Sequence, residues 1–203
     1  MGVDFSEEML RQARTAYPSV RFEAGDAEAL PFGDERFDVV VCSLGVPHFS
    51  DPEAFFRESF RVLRPSGRFA FTVWAAPDQT KAFGAVYEAV GRFGSLDVGL
   101  PPGPNFFLYA DAERTRASLT ATGFASTSVT TVAQTWTVHD PDEVFTSIRD
   151  GTVRAAAVLK RQPAPALARI RAEIGAAAAA FADDDGSYRI PMPAVLATAA
   201  RPR

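Results

Sequence analysis

The 203-residue sequence predicts an α/β protein built on a doubly wound, largely parallel sheet. Three observations carry that expectation. Phe37 to Cys42 (Phe-Asp-Val-Val-Val-Cys) is a nearly continuous apolar run rich in β-branched residues, which suits a strand buried on both faces of a parallel sheet. Strand-like and helix-like stretches alternate through the first 75 residues or so. The helical stretches begin at capping residues and stop at prolines.

In order along the chain, Val3 gives way to Asp4, and Ser6 can cap a helix whose first turn holds Glu7 and Glu8, where negative charge suits the helix dipole. Met9, Leu10, Ala13 and Tyr17 follow at helical spacing, and Pro18 stops the helix. Val20 and Phe22 alternate with polar neighbours over 19–23, a short strand, and Gly25-Asp26 turns the chain. Phe37 to Cys42 is then expected as a central strand. Asp51-Pro52-Glu53 supplies an N-cap, a first-position proline and a first-turn acid, with Phe56, Phe60 and Leu63 at i, i+4 and i+7. Arg64-Pro65-Ser66-Gly67 ends that helix, and Arg68 to Trp74 reads as the next strand. Such strand–helix–strand units imply right-handed crossovers. Ligands of such sheets lie at the C-terminal strand ends, so Asp4, Asp26 and residues 42–49 are the places to look.

Beyond Trp74 the pattern is less regular. Lys81 to Phe93 reads as a helix, Gly99 to Pro104 as a Gly/Pro-rich loop, and Phe106, Phe107 and Tyr109 as an aromatic group. Residues 76–110 are thus either a lid or substrate-pocket insertion, or a satellite core. Asp111 to Thr122 reads as a helix, Ser126 to Val138 as one long strand, and Pro141 to Lys160 as one or two helices. Leu167, Ile170, Ile174 and Phe181 mark another helix through an alanine run, and Tyr188 to Ala200 a final strand with an irregular start at Pro191 and Pro193. Asp183-Asp184-Asp185-Gly186 reads as an exposed acidic turn, and no metal site is expected.

Hydrophobic residues make up 47% of the chain and charged residues 23%, the balance of a folded globular protein of one domain spanning 1–203. A formal net charge of −4 gives no electrostatic reason to expect a nucleic acid or an anionic membrane as partner. The N-terminus has none of the features of a signal peptide, and the single cysteine, Cys42, fits a reducing, cytoplasmic setting. Cys42 lies in an apolar run, which suits a buried thiol better than a nucleophile. Met1-Gly2 with Ser6 also meets the loose N-myristoylation pattern, but the same residues have a fuller account.

That account comes from four segments in order: Gly2-Val3-Asp4-Phe5-Ser6-Glu7-Glu8-Met9-Leu10, Gly25-Asp26-Ala27-Glu28-Ala29-Leu30-Pro31-Phe32, Phe37-Asp38-Val39-Val40 and Arg61-Val62-Leu63-Arg64-Pro65-Ser66-Gly67-Arg68. Together they resemble the class I S-adenosylmethionine-dependent methyltransferases, in particular the methyltransferase type 11 group, over residues 1 to about 75. The resemblance implies a Rossmann-like sheet, S-adenosyl-L-methionine as cofactor and a small-molecule methyl acceptor. It divides the chain into a cofactor-binding part (1–75), a lid or pocket insertion (76–110) and C-terminal strands and helices (111–203). Asp4 would receive the ribose hydroxyls, Phe5 and Met9 would pack on the adenine, and Asp26 with the Ala27 N–H would meet the adenine edge. Ser43 and Leu44 would line the cofactor site at the exit of the next strand. His48 aligns with a histidine of the family, which implies a structural or pocket-lining role, that of a general base being the alternative. Phe83, Phe106, Phe107 and Tyr109 are candidates for the acceptor pocket.

The sequence departs from the family in two respects, the milder being Ser66 in place of the first glycine of the usual Pro-Gly-Gly. A strand and an acid-x-Gly-x-Gly loop precede the Asp4 strand in the family, and neither is found in the 203 residues. The resemblance therefore implies either a longer native enzyme or a methyltransferase-like module that acts by binding or oligomerisation. A nucleotide-binding oxidoreductase is disfavoured, because the Gly25–Phe32 stretch has no role in one.

Overall fold

The computed structural model describes residues 1–101 and 103–203; Pro102, inside the expected Gly99–Pro104 loop, lies outside the described residues. The architecture is α/β, as the sequence predicts. Strand β1 (Gly2–Asp4) leads through helix α1 (Glu7–Ala16) to a parallel β2 (Phe22–Ala24). Strand β3 (Phe37–Ser43) leads through α2 (Pro52–Val62) to a parallel β4 (Leu63–Trp74). The caps are those the sequence offers: Ser6 accepts the Met9 N–H, and Asp51 accepts the Ala54 N–H with Pro52 at the first helical position.

Farther along come α3 (Lys81–Phe93), α4 (Ala112–Thr122), β5 (Ala125–Val132), β6 (Thr135–Val138), α5 (Asp142–Gly151), α6 (Arg154–Lys160), α7 (Ala164–Ala179), β7 (Tyr188–Pro191) and β8 (Ala194–Ala200). The expected strand over 126–138 is two strands, interrupted at Ala133 and Gln134. The expected final strand is also two, in different sheets: β7 pairs antiparallel with β6, while β8 lies between β4 and β5. The break falls at Met192-Pro193, where proline has no N–H for a ladder and the Met192 N–H goes to the Gln134 carbonyl.

The chain forms two compact units. The first comprises Met1–Val73, Asp111–Thr130 and Leu196–Arg203. Its core is aromatic. Phe56 is fully buried, stacks on Phe71 at 5.3 Å between ring centroids and meets Phe55 and Phe69, while Phe124 stacks on Phe69 at 5.1 Å. The second unit comprises Trp74–Ala110 and Thr131–Val195. There α3, α5 and α7 close around Val86, Val90, Phe145, Ile148, Leu159, Ile170 and Ile174. The alanine-rich run is α7, with Ile170 and Ile174 on its buried side.

One expectation is corrected. β3 is not a central strand buried on both faces. The strand order is β3-β4-β8-β5, β1 and β2 form a separate two-stranded sheet, and among the described residues no strand pairs with the outer edge of β3. Val39 and Val41 are accordingly 56% and 72% exposed. Composition alone marks a strand as able to be buried. Whether it is buried depends on its neighbours.

Candidate functional site

The C-terminal ends of β1 and β2 lie side by side, because the parallel register sets Asp4 opposite Ala24 and the Gly25 N–H bonds to the Asp4 carbonyl at 3.1 Å. Asp4 Oδ1 accepts the Ser6 N–H at 2.8 Å, which fixes the carboxylate at the strand end and leaves Oδ2 for another donor. Asp26 is held in the same manner, its Oδ1 accepting the Glu28 N–H at 2.8 Å and its carbonyl the Ala29 N–H. Among the described residues none accepts the Ala27 N–H. Next to Asp4, the Phe5 ring is 84% exposed, and Met9, one turn into α1, is 52% exposed.

Ser43, Leu44 and His48 lie at the exit of β3. Ser43 Oγ and Thr72 Oγ1 share a hydrogen bond of 3.3 Å, and the Leu44 N–H donates to the Thr72 carbonyl (3.0 Å) and to Thr72 Oγ1 (3.1 Å). These bonds hold Leu44 at φ 56°, in the left-handed region that a leucine rarely occupies and that recurs at ligand sites. A single 3-10 turn follows, Val46–His48, with Val46 and Pro47 buried and the His48 side chain exposed. Glu28 Oε1 accepts the Ser50 N–H at 2.6 Å and so ties the Asp26 loop to the segment that carries His48.

This set of groups fits an adenosine. Two carboxylates, each with an oxygen to spare, suit a ribose diol and an exocyclic amine; the Ala27 N–H suits a ring nitrogen; and two uncovered apolar side chains suit the face of a purine. Glu28, Glu58 and Arg61 hold the Asp26 loop in place; the sequence motifs contain Glu28 and Arg61 without giving either a role, and Glu58 lies outside them. The Glu58-x-x-Arg61 pair at helical spacing was the readable signal.

Elsewhere, Phe83, Phe106 and Phe107 form an edge-to-face cluster with Trp74 and Tyr87 in the second unit, while Tyr109 is buried. His139 sits in an exposed turn, its N–H bonded to the carboxylate of Glu143. Asp183 and Asp185 close their own turn through Ser187 and pair with Arg189, and among the described residues no cluster of three metal-binding side chains occurs.

Residues 1–71, which contain every group described at the two strand ends, match the methyltransferase domain family. Over that stretch the chain is similar to methyltransferases. A demethylmenaquinone methyltransferase of Deinococcus radiodurans is 34% identical over 140 residues, covering 61% of this chain and 57% of the relative. An uncharacterized methyltransferase of Bacillus subtilis is 40% identical over 83 residues, covering 38% and 33%. The chain thus spans between a third and somewhat over half of these curated methyltransferases. Among solved structures, the YcgJ protein of Bacillus subtilis aligns over 100% of this chain and 82% of its own length, with a TM-score of 0.57 at 22% identity. Phosphoethanolamine N-methyltransferase 2 of Haemonchus contortus, in complex with S-adenosyl-L-methionine, aligns over 100% of this chain and 43% of its own length, with a TM-score of 0.55 at 19% identity. At these identities the two structures establish the shared methyltransferase fold.

Proposed function

We propose that this chain binds S-adenosyl-L-methionine and transfers its methyl group to a small-molecule acceptor, in a reducing, cytoplasmic setting. The observation that carries the reading is the paired carboxylates of Asp4 and Asp26 at the adjoining ends of β1 and β2, each with one oxygen unengaged and with the exposed Phe5 and Met9 beside them. Asp4 receives the ribose hydroxyls, and Asp26 with the Ala27 N–H receives the adenine edge. Phe5 and Met9 cover the purine face, and Ser43 and Leu44 line the remainder.

The cofactor, when bound, supplies a methyl group on an already activated sulfonium, so the chain's own task is to align the reactants and exclude water. His48, exposed at the β3 exit, serves as proton acceptor for acceptors that must lose a proton. The names of several relatives make a quinone-class acceptor the first to assay.

A second reading, a methyltransferase-like module that binds without catalysis, is favoured by the open edge of β3 with Val39 and Val41 exposed. Calorimetric titration with S-adenosylhomocysteine separates the two. Saturable binding that weakens by about tenfold or more in Asp4→Ala and in Asp26→Ala supports the enzyme reading. No binding in a sample shown to be folded leaves the second.

A further inference from the structure

The Asp26 loop has little structure of its own. β2 is three residues long, and after it the chain runs through local turns, with the Ala29 N–H on the Asp26 carbonyl and the Phe32 N–H on the Leu30 carbonyl. One arginine near the end of α2 fixes it. Arg61 uses all five of its N–H groups: Nε donates to Glu58 Oε1 (2.8 Å), Nη2 to Glu58 Oε2 (2.7 Å) and the Leu30 carbonyl (3.1 Å), and Nη1 to the Phe32 carbonyl (2.7 Å) and Asp34 Oδ1 (2.8 Å). Glu58 Oε2 also accepts the Leu30 N–H at 2.8 Å, so the pair grips both backbone groups of Leu30. The Glu28–Ser50 bond holds the same loop from its other side.

We infer that Arg61, through Glu58 and Leu30, is a positioning residue for the adenine end of the cofactor site, holding the loop so that Asp26 and Ala27 present their free polar groups at the end of β2. The inference rests on the cofactor reading above. Its physical basis is leverage. Leu30 is three residues from Ala27, the intervening chain is an Asx-type turn, and no long strand opposes a shift. A planar fork with five donors sets the height and tilt of that turn in a way a point charge does not.

The test compares two ligands, S-adenosylhomocysteine and S-inosylhomocysteine, in which a carbonyl replaces the exocyclic amine. Both are titrated calorimetrically into the wild-type chain and into the Asp26→Ala, Arg61→Ala and Glu58→Gln variants. The wild type is expected to prefer the adenosyl ligand by about tenfold or more, and the preference to fall toward one in Asp26→Ala and in Arg61→Ala. A purely structural role for Arg61 lowers the melting temperature and leaves the ratio of the two affinities unchanged, and that result overturns the inference. Should Arg61→Ala not fold, the ratio in Glu58→Gln decides: a fall supports the inference and an unchanged ratio overturns it. Failure of the wild type to bind, or a ratio untouched by Asp26→Ala, overturns the cofactor reading and this inference with it. A ratio lost in Asp26→Ala but kept in the foldable variant of the pair overturns this inference alone.

Discussion

The guanidinium of Arg201 donates to the Glu35 carboxylate at 2.8 Å, joining residues 166 positions apart. Its Nη1 also reaches the carbonyls of Phe60 (3.2 Å), Arg61 (3.3 Å) and Leu63 (2.5 Å), and the group lies over the Phe60 ring at 4.9 Å. These carbonyls lie at the end of α2, where a helix lacks internal donors and carries partial negative charge. Arg201 therefore caps α2 from the far end of the sequence.

Replacement of Arg201 with alanine should remove about 2–3 kcal/mol of stability, because several carbonyls lose a charged donor at once. Urea denaturation measures this as a lower midpoint at constant slope. A loss under about 0.5 kcal/mol would contradict the capping role.

Ser66 stands where the family has the first glycine of Pro-Gly-Gly, and the structure gives the substitution a physical meaning. Its φ is 66°, a left-handed conformation, and its N–H is held by the carbonyls of Arg201 and Pro202. A side chain there costs about 1–2 kcal/mol, partly offset by the greater entropy that glycine loses on folding. Ser66→Gly should therefore raise stability by about 0.5–1 kcal/mol, read as a higher melting temperature. A drop would show that the serine makes a compensating contact.

Glu58 titrates below the usual glutamate range, chiefly because Arg61 bonds to its carboxylate, with burial opposing. A folded-state pKa below the unfolded one contributes stability that is complete above the unfolded value, about 4.3, and is lost as pH falls through the folded one. The wild type should lose more stability between about pH 5 and pH 3 than Glu58→Gln does. Parallel acid limbs in urea titrations at stepped pH would refute this.

Most of the elements were legible because their causes are local. Ser6 and Asp51 cap the helices they precede, and apolar residues recur at helical spacing in α1, α2 and α7. The failures have non-local causes. The break between β7 and β8 depends on the Met192 N–H finding Gln134, and the exposure of β3 on what lies beside it. At the candidate site, the acids at the strand ends could be read from the motifs. The Arg61 grip was only half readable: the Glu58–Arg61 spacing is visible in sequence, but its other partners are mainly the backbone groups of Leu30 and Phe32, which every residue type possesses.

The β3 exit carries one further consequence, through Cys42. Burial raises its thiol pKa, against the opposing pull of bonds from the Gly45 and Val46 backbone, and a Cβ added at Gly45 would come within 2.7 Å of its sulfur. Cys42 is half-buried, and a protonated thiol is a poor nucleophile, whereas the same group in an open chain reacts normally. As the chain's single cysteine, one residue before the end of β3, it serves as a stopwatch for that strand: the rate at which a maleimide captures it counts how often β3 and its exit turn come apart.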